Sequence, residues 1–135
     1  MSAARSYPAR KVNKEDFINY LKKAKEFYQT MYQAESVQNW DAVGLNGVHC
    51  VISLMDAILV KNKGLRSASE DHLIAVDLLN ACGNIEDIVQ KSQLAGRIIA
   101  KKNLVAYELR NFTETDARDM IKQVQRFYDW AIKIL

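Results

Sequence analysis

This chain of 135 residues lacks most of what staples or punctuates a fold, with one proline (Pro8), five glycines, two cysteines and two histidines. So few glycines and prolines leave long uninterrupted elements, and the alanine, leucine, lysine and glutamine content favours helix. The fold class expected is all-α. Cys50 and Cys82 stand in apolar, helix-forming surroundings without CxxC spacing. They read as small buried hydrophobes in a reducing compartment rather than a disulfide framework or zinc site. The amino terminus has no apolar run, so it carries no secretory signal. No uncharged apolar stretch reaches the roughly 18 residues of a membrane span. The expected location is therefore the cytoplasm. Also missing are GxSxG, a glycine-rich phosphate loop and a dinucleotide fingerprint. Nothing calls for a cofactor or a metal.

What is present suits one globular domain with its own core, 49% hydrophobic and 26% charged. The net charge of +3 is unevenly spread: residues 1–25 carry +5, residues 91–110 carry +4, and the rest is −6. Two basic patches on an acidic body suit an anion such as RNA or nucleotide phosphate, or are ordinary solvated surface.

Residues 1–12 have no hydrophobic period and read as a basic flexible arm; residues 13–135 form the domain. Asn13 is placed to cap a helix with Glu15 and Asp16 in its first turn. Phe17, Tyr20, Leu21, Ala24, Tyr28, Met31 and Tyr32 then recur at three and four, to about Val37. A second helix, from Trp40 to about Lys61, is apolar nearly all round and should be central. Its Gly44 and Gly47 permit close backbone approach to a neighbour, and Gly64 ends it. A third helix, capped by Ser67 or Ser69, runs through Leu79 until Cys82-Gly83-Asn84. A fourth spans about Ile85 to Leu109, with a local break allowed near Ser92 or Gly96. Thr113-Glu114-Thr115-Asp116 opens a fifth by capping-box logic, with Asp116 in the usual glutamate place. Its inward set is Ala117, Met120, Ile121, Val124, Phe127, Tyr128 and Ala131. Short connections make this an antiparallel up-and-down bundle of four to five helices.

The most informative stretch lies in the fourth helix. Ala95, Ile98, Ile99, Val105, Ala106 and Leu109 share a face, and Lys102 falls inside that arc. A lysine there costs free energy unless its ammonium reaches solvent or a partner. Asn103 and Tyr107 border the stripe, and Lys101 and Arg97 add charge beside it. On the second helix, His49, Ser53 and Asp56 form a polar stripe at i, i+4 and i+7. It suits a His–Asp proton-transfer pair, a partial metal site with His72, hydrogen bonds to helix neighbours, or a dimer seam. The spacing alone selects none of these.

The tract from Asn39-Trp40-Asp41-Ala42 through Gly47-Val48-His49-Cys50-Val51-Ile52-Ser53-Leu54-Met55-Asp56-Ala57-Ile58-Leu59 is followed by a glycine turn and Asp71-His72. Lys102-Asn103-Leu104-Val105-Ala106-Tyr107-Glu108 and Thr113-Glu114-Thr115-Asp116-Ala117 come later. Together, over residues 15–135, they resemble the HEPN superfamily (higher eukaryote and prokaryote nucleotide-binding domains). The resemblance implies an antiparallel helical bundle, often dimeric. Many HEPN members are metal-independent ribonucleases built on an Arg-x(4–6)-His motif at the dimer interface. In that motif Lys102 takes the arginine position, Asn103 the polar position after it, and Tyr107 the histidine position. Lysine keeps the charge but loses the planar fork. Tyrosine, with a pKa near ~10, is a poor base at neutral pH. The departures argue against cleavage. The expected function is a non-catalytic HEPN-like homodimer that binds RNA, a nucleotide or a protein partner through this cluster. By family analogy that partner is a nucleotidyltransferase or an antitoxin. The alternatives are a divergent ribonuclease using Lys102 and Tyr107, with His49 lent by the neighbouring helix, and a purely structural assembly protein.

Overall fold

The computed structural model describes residues 9–68, 72–107 and 111–135. A single 3-10 turn, Lys14–Asp16, leads into α1, Phe17–Ser36. Asn13 caps this entry through its carbonyl, which accepts from the Asp16 N–H at 2.9 Å; its side chain makes no capping bond. α1 turns Ala24, Met31 and Ala34 into the core, with Leu21, Phe27, Tyr28 and Tyr32 half-buried against it. The tyrosines pack on the edge of the core: Tyr28 stacks on Tyr128 at 3.8 Å between centroids and meets Tyr32 edge-on at 5.1 Å.

α2, Trp40–Lys63, is the buried axis that its all-round apolar sequence predicts. Gly64 ends it in the left-handed conformation, φ 62°, and donates to the Val60 carbonyl. Its length and composition suffice for a membrane span, with a mean hydropathy of 1.8 over its most apolar window. That differs from the expectation of no such segment, because one aspartate and one histidine do little to lower the average. The window is 83% buried within the protein, so neighbouring helices cover its apolar surface.

After α2 the chain doubles back as β2, Leu65–Ser67, which pairs antiparallel with β1, Ala9–Lys11. Part of the basic arm is thus a strand. The Val12 N–H donates to the Gly64 carbonyl at 2.8 Å, extending the pairing to the helix end. α3, His72–Asn80, and α4, Ile88–Ala100, follow. Ser67 belongs to β2, and Ser69, the other cap expected for α3, lies outside the described residues.

The fourth helix is not continuous to Leu109. α4 runs unbroken through Ser92 and Gly96, stops at Ala100, turns at Lys101, and restarts as α5, Lys102–Tyr107. The turn brings Val105 to α2 at Gly44, where Phe112 also seats. Leu109 and Arg110 lie outside the described residues.

α6, Glu114–Ile134, opens with the expected capping box: Thr113 Oγ1 accepts from the Asp116 N–H at 3.1 Å, and Asp116 Oδ2 accepts from the Thr113 N–H at 3.0 Å. Ala117, Met120, Ile121, Val124, Phe127 and Ala131 are buried, as the spacing predicts, and Tyr128 is half-buried. The class is an all-α helical bundle with a small two-stranded ribbon on it. The short turn between α1 and α2 makes them antiparallel. α2 and α6 run the same way: Asp41 Oδ1 accepts from the Phe112 N–H at one end, and Lys61 Nζ donates to the Leu135 carbonyl at the other.

One buried polar group gives a stability test. Ser92 is 2% exposed, and its hydroxyl has no hydrogen-bond partner among the described residues. An unsatisfied buried hydroxyl costs about 1 kcal/mol or more, and alanine is the better helix former. Ser92→Ala is expected to stabilise the protein by about 1 kcal/mol. A urea midpoint that falls or stays put contradicts this.

Candidate anion-binding site

The doubled-back strand and the restarted helix meet at a cleft of about 500 Å³, lined by Arg10, Arg66, Ser67, Ala68, His72, Lys102, Asn103 and Tyr107. Four elements contribute: β1, β2, the start of α3, and α5. Arg10 and Arg66 are directly opposed in the ribbon. Opposed residues of antiparallel strands project from the same face, and like charges so placed repel each other. Lys102, half-buried at the first position of α5, brings a third positive charge to the same walls. Tyr107 stands on the rim with 78% of its surface exposed.

The two adjacent lysines at the turn have different surroundings. Lys101 Nζ donates to Gln123 Oε1 of α6 at 3.1 Å, away from the cleft, while Lys102 lines it. The lysine that the helical period placed awkwardly in an apolar arc thus finds an open polar wall. Arg97 is exposed on α4 and does not line the cleft. Lys102, Asn103 and Tyr107 are therefore brought together; Lys101 and Arg97 are not part of the same wall.

The polar stripe of α2 lies behind this cleft rather than in it. His49 is half-buried and stacks on Phe27 of α1, with centroids 5.3 Å apart. Burial, and then the Lys102 ammonium, lower its pKa. Ser53 and Asp56 are buried. Asp56 Oδ2 lies 3.5 Å from Arg66 Nε, an ion-pair distance too long for a good hydrogen bond. Burial pushes the Asp56 carboxyl up to about 6, against the opposing pull of Arg66 and then Lys23. His49 and Asp56 face different partners two helical turns apart, so they do not form a His–Asp proton-transfer pair.

Arg10, Arg66 and the placement of His72 escaped the sequence reading. The ribbon joins residues 54 to 58 positions apart, and three-residue strands leave no periodicity to detect. Arg66, two residues beyond the helix-ending Gly64, had only its position in a turn to mark it. Comparison with protein-family models, curated proteins and solved structures gives no match for this chain.

Proposed function

We propose that this protein is a non-catalytic, HEPN-like module that binds the phosphate groups of RNA or a nucleotide in the cleft between Arg10, Arg66 and Lys102. The carrying observation is the like-charged pair Arg10 and Arg66 aimed at one cavity that a third cation, Lys102, also lines. Such an arrangement is repulsive when empty and is relieved by an anion. Asn103 offers an amide to a base edge or ribose, and exposed Tyr107 offers a ring on which a base can stack. The HEPN resemblance adds the expectation of a homodimer, which the mass in solution checks.

The test is fluorescence anisotropy with a labelled single-stranded RNA, on protein of known mass, with a cleavage readout in the same tubes. Neutralising three phosphates predicts affinity falling about twentyfold between 50 and 200 mM salt. Lys102→Ala is expected to weaken binding about tenfold while the circular dichroism stays that of the wild type. Unchanged affinity would remove Lys102 from the site.

The divergent ribonuclease remains the second reading, favoured by one observation: His72 lines the same cleft as Lys102 and Tyr107. Cleaved RNA, abolished by changing His72 or Tyr107, would establish it. Intact RNA with saturable, salt-sensitive binding is the outcome expected here.

A further inference from the structure

The cations of the cleft are backed differently. Behind Lys102 stands His49, whose pKa is lowered by burial and then by the Lys102 charge itself. Behind Arg66 stands Asp56, buried in α2 with only 10% of its side chain exposed. The Arg66 Nε is buried and makes no hydrogen bond among the described residues, although the Asp56 carboxylate is 3.5 Å away. The Arg66 guanidinium also lies over the Tyr20 ring, 5.5 Å from its centroid, and it lines the cleft. One guanidinium is thus shared between an internal counter-ion and whatever the cleft holds. The charged groups facing Asp56 among the described residues are Arg66 from β2 and Lys23 from α1.

We infer that Asp56 is a proton-operated counter-ion of the cleft. While its carboxylate is charged, Arg66 is held against α2. When the carboxylate takes a proton from solvent, Arg66 is released to the bound phosphate. No covalent bond changes; one proton moves to Asp56 and one ion pair is exchanged for another. This deepens the phosphate-binding reading and rests on it.

By linkage, a phosphate that competes for Arg66 must raise the proton affinity of Asp56, and protonation must tighten phosphate binding equally. Each pH unit by which the ligand displaces that titration is worth about tenfold in affinity. The burial that lifts Asp56 to about 6 puts the change within reach of the folded protein.

The probe is an oligouridylate hexamer without terminal phosphates, because neither its bases nor its diesters titrate between pH 5 and 8. At constant ionic strength, the wild type is expected to bind it about tenfold more tightly at pH 5.5 than at pH 8. Calorimetry in two buffers of different ionisation heat should show proton uptake on binding near pH 6.5. Asp56→Asn should bind with a flat pH profile at the tight, low-pH level. Arg66→Gln should bind more weakly and also lose the slope, which provides a second route if the first variant fails to fold. A slope that persists in either variant places the proton on a group other than Asp56 and overturns the inference. So does a wild type that binds the RNA with no pH dependence, although the cleft itself would then stand. No binding at any pH removes the phosphate-binding reading, and the inference with it.

Discussion

Gly44→Val should destabilise the protein by about 3 kcal/mol and abolish RNA binding in whatever fraction remains folded. A Cβ at residue 44 would lie 2.8 Å from Phe112 Cε1 and 2.8 Å from Val105 Cγ2. Both neighbours are inside real contact distance before valine adds its two methyl groups. Phe112 is 2% exposed, and its N–H is held by Asp41 Oδ1 at 2.9 Å, so it has little room to give. Val105 is the more movable, because it sits on the six-residue α5. Relief therefore comes by pushing α5 off α2, and α5 carries Lys102, Asn103 and Tyr107 to the cleft. The combination to look for is a lowered denaturant midpoint together with lost RNA affinity. Gly47→Ala is the comparison: its Cβ meets the flexible ends of Met120 and Met31, and Val124, at 3.0–3.3 Å, so a milder loss is expected and α5 is untouched.

Asp56→Asn should stabilise the protein by about 2 kcal/mol at pH 7.5 and flatten its stability profile between pH 4 and 6. The Asp56 carboxyl is pushed up to about 6, mainly by burial, from an ordinary aspartate value near ~4. Between those values the folded state keeps the proton and the unfolded chain has lost it. Stability from this group is thus fullest below pH ~4 and declines as pH rises to about 6, above which the full penalty applies. A two-unit shift corresponds to about 3 kcal/mol. Asparagine gives up the attraction of Arg66, which reduces the gain. Arg66 itself, with 40% of its side chain exposed, turns to solvent at small cost. Urea unfolding at pH 4.5, 6 and 7.5 checks this. A variant less stable than the wild type at pH 7.5 would mean that the ion pair outweighs the cost of burying the carboxylate.

These two variants probe a site that was half legible in the sequence. Lys102 drew notice because a lysine in an apolar helical arc needs an outlet, and that outlet exists. The stripe of His49, Ser53 and Asp56 was visible for the same reason, as polar side chains on an apolar helix. The helical period reports which face a residue lies on, but not what stands opposite. The stripe's role as backing for Lys102 and Arg66 therefore stayed hidden. So did the stop at Ala100, because Ser92 and Gly96, the weak points by propensity, are held in place by packing, while Lys101, a good helix former, lies where α2 draws the chain inward.

What the sequence determined by itself is local. The apolar periods of α1, α2 and α6, the Gly64 stop and the Thr113–Asp116 capping box each depend on neighbours within a turn or two. The tertiary structure alone decided what depends on distant parts of the chain: the pairing of Ala9–Lys11 with Leu65–Ser67, the shared direction of α2 and α6, and the divergence of Lys101 from Lys102. It also decided the meeting of Arg10, Arg66 and Lys102 around one cavity. Charges that far apart along the chain repel in isolation. The burial of α2, the apolar contacts that fix α5 against it and the hydrogen bonds that join the ribbon to its end supply the free energy to hold them together.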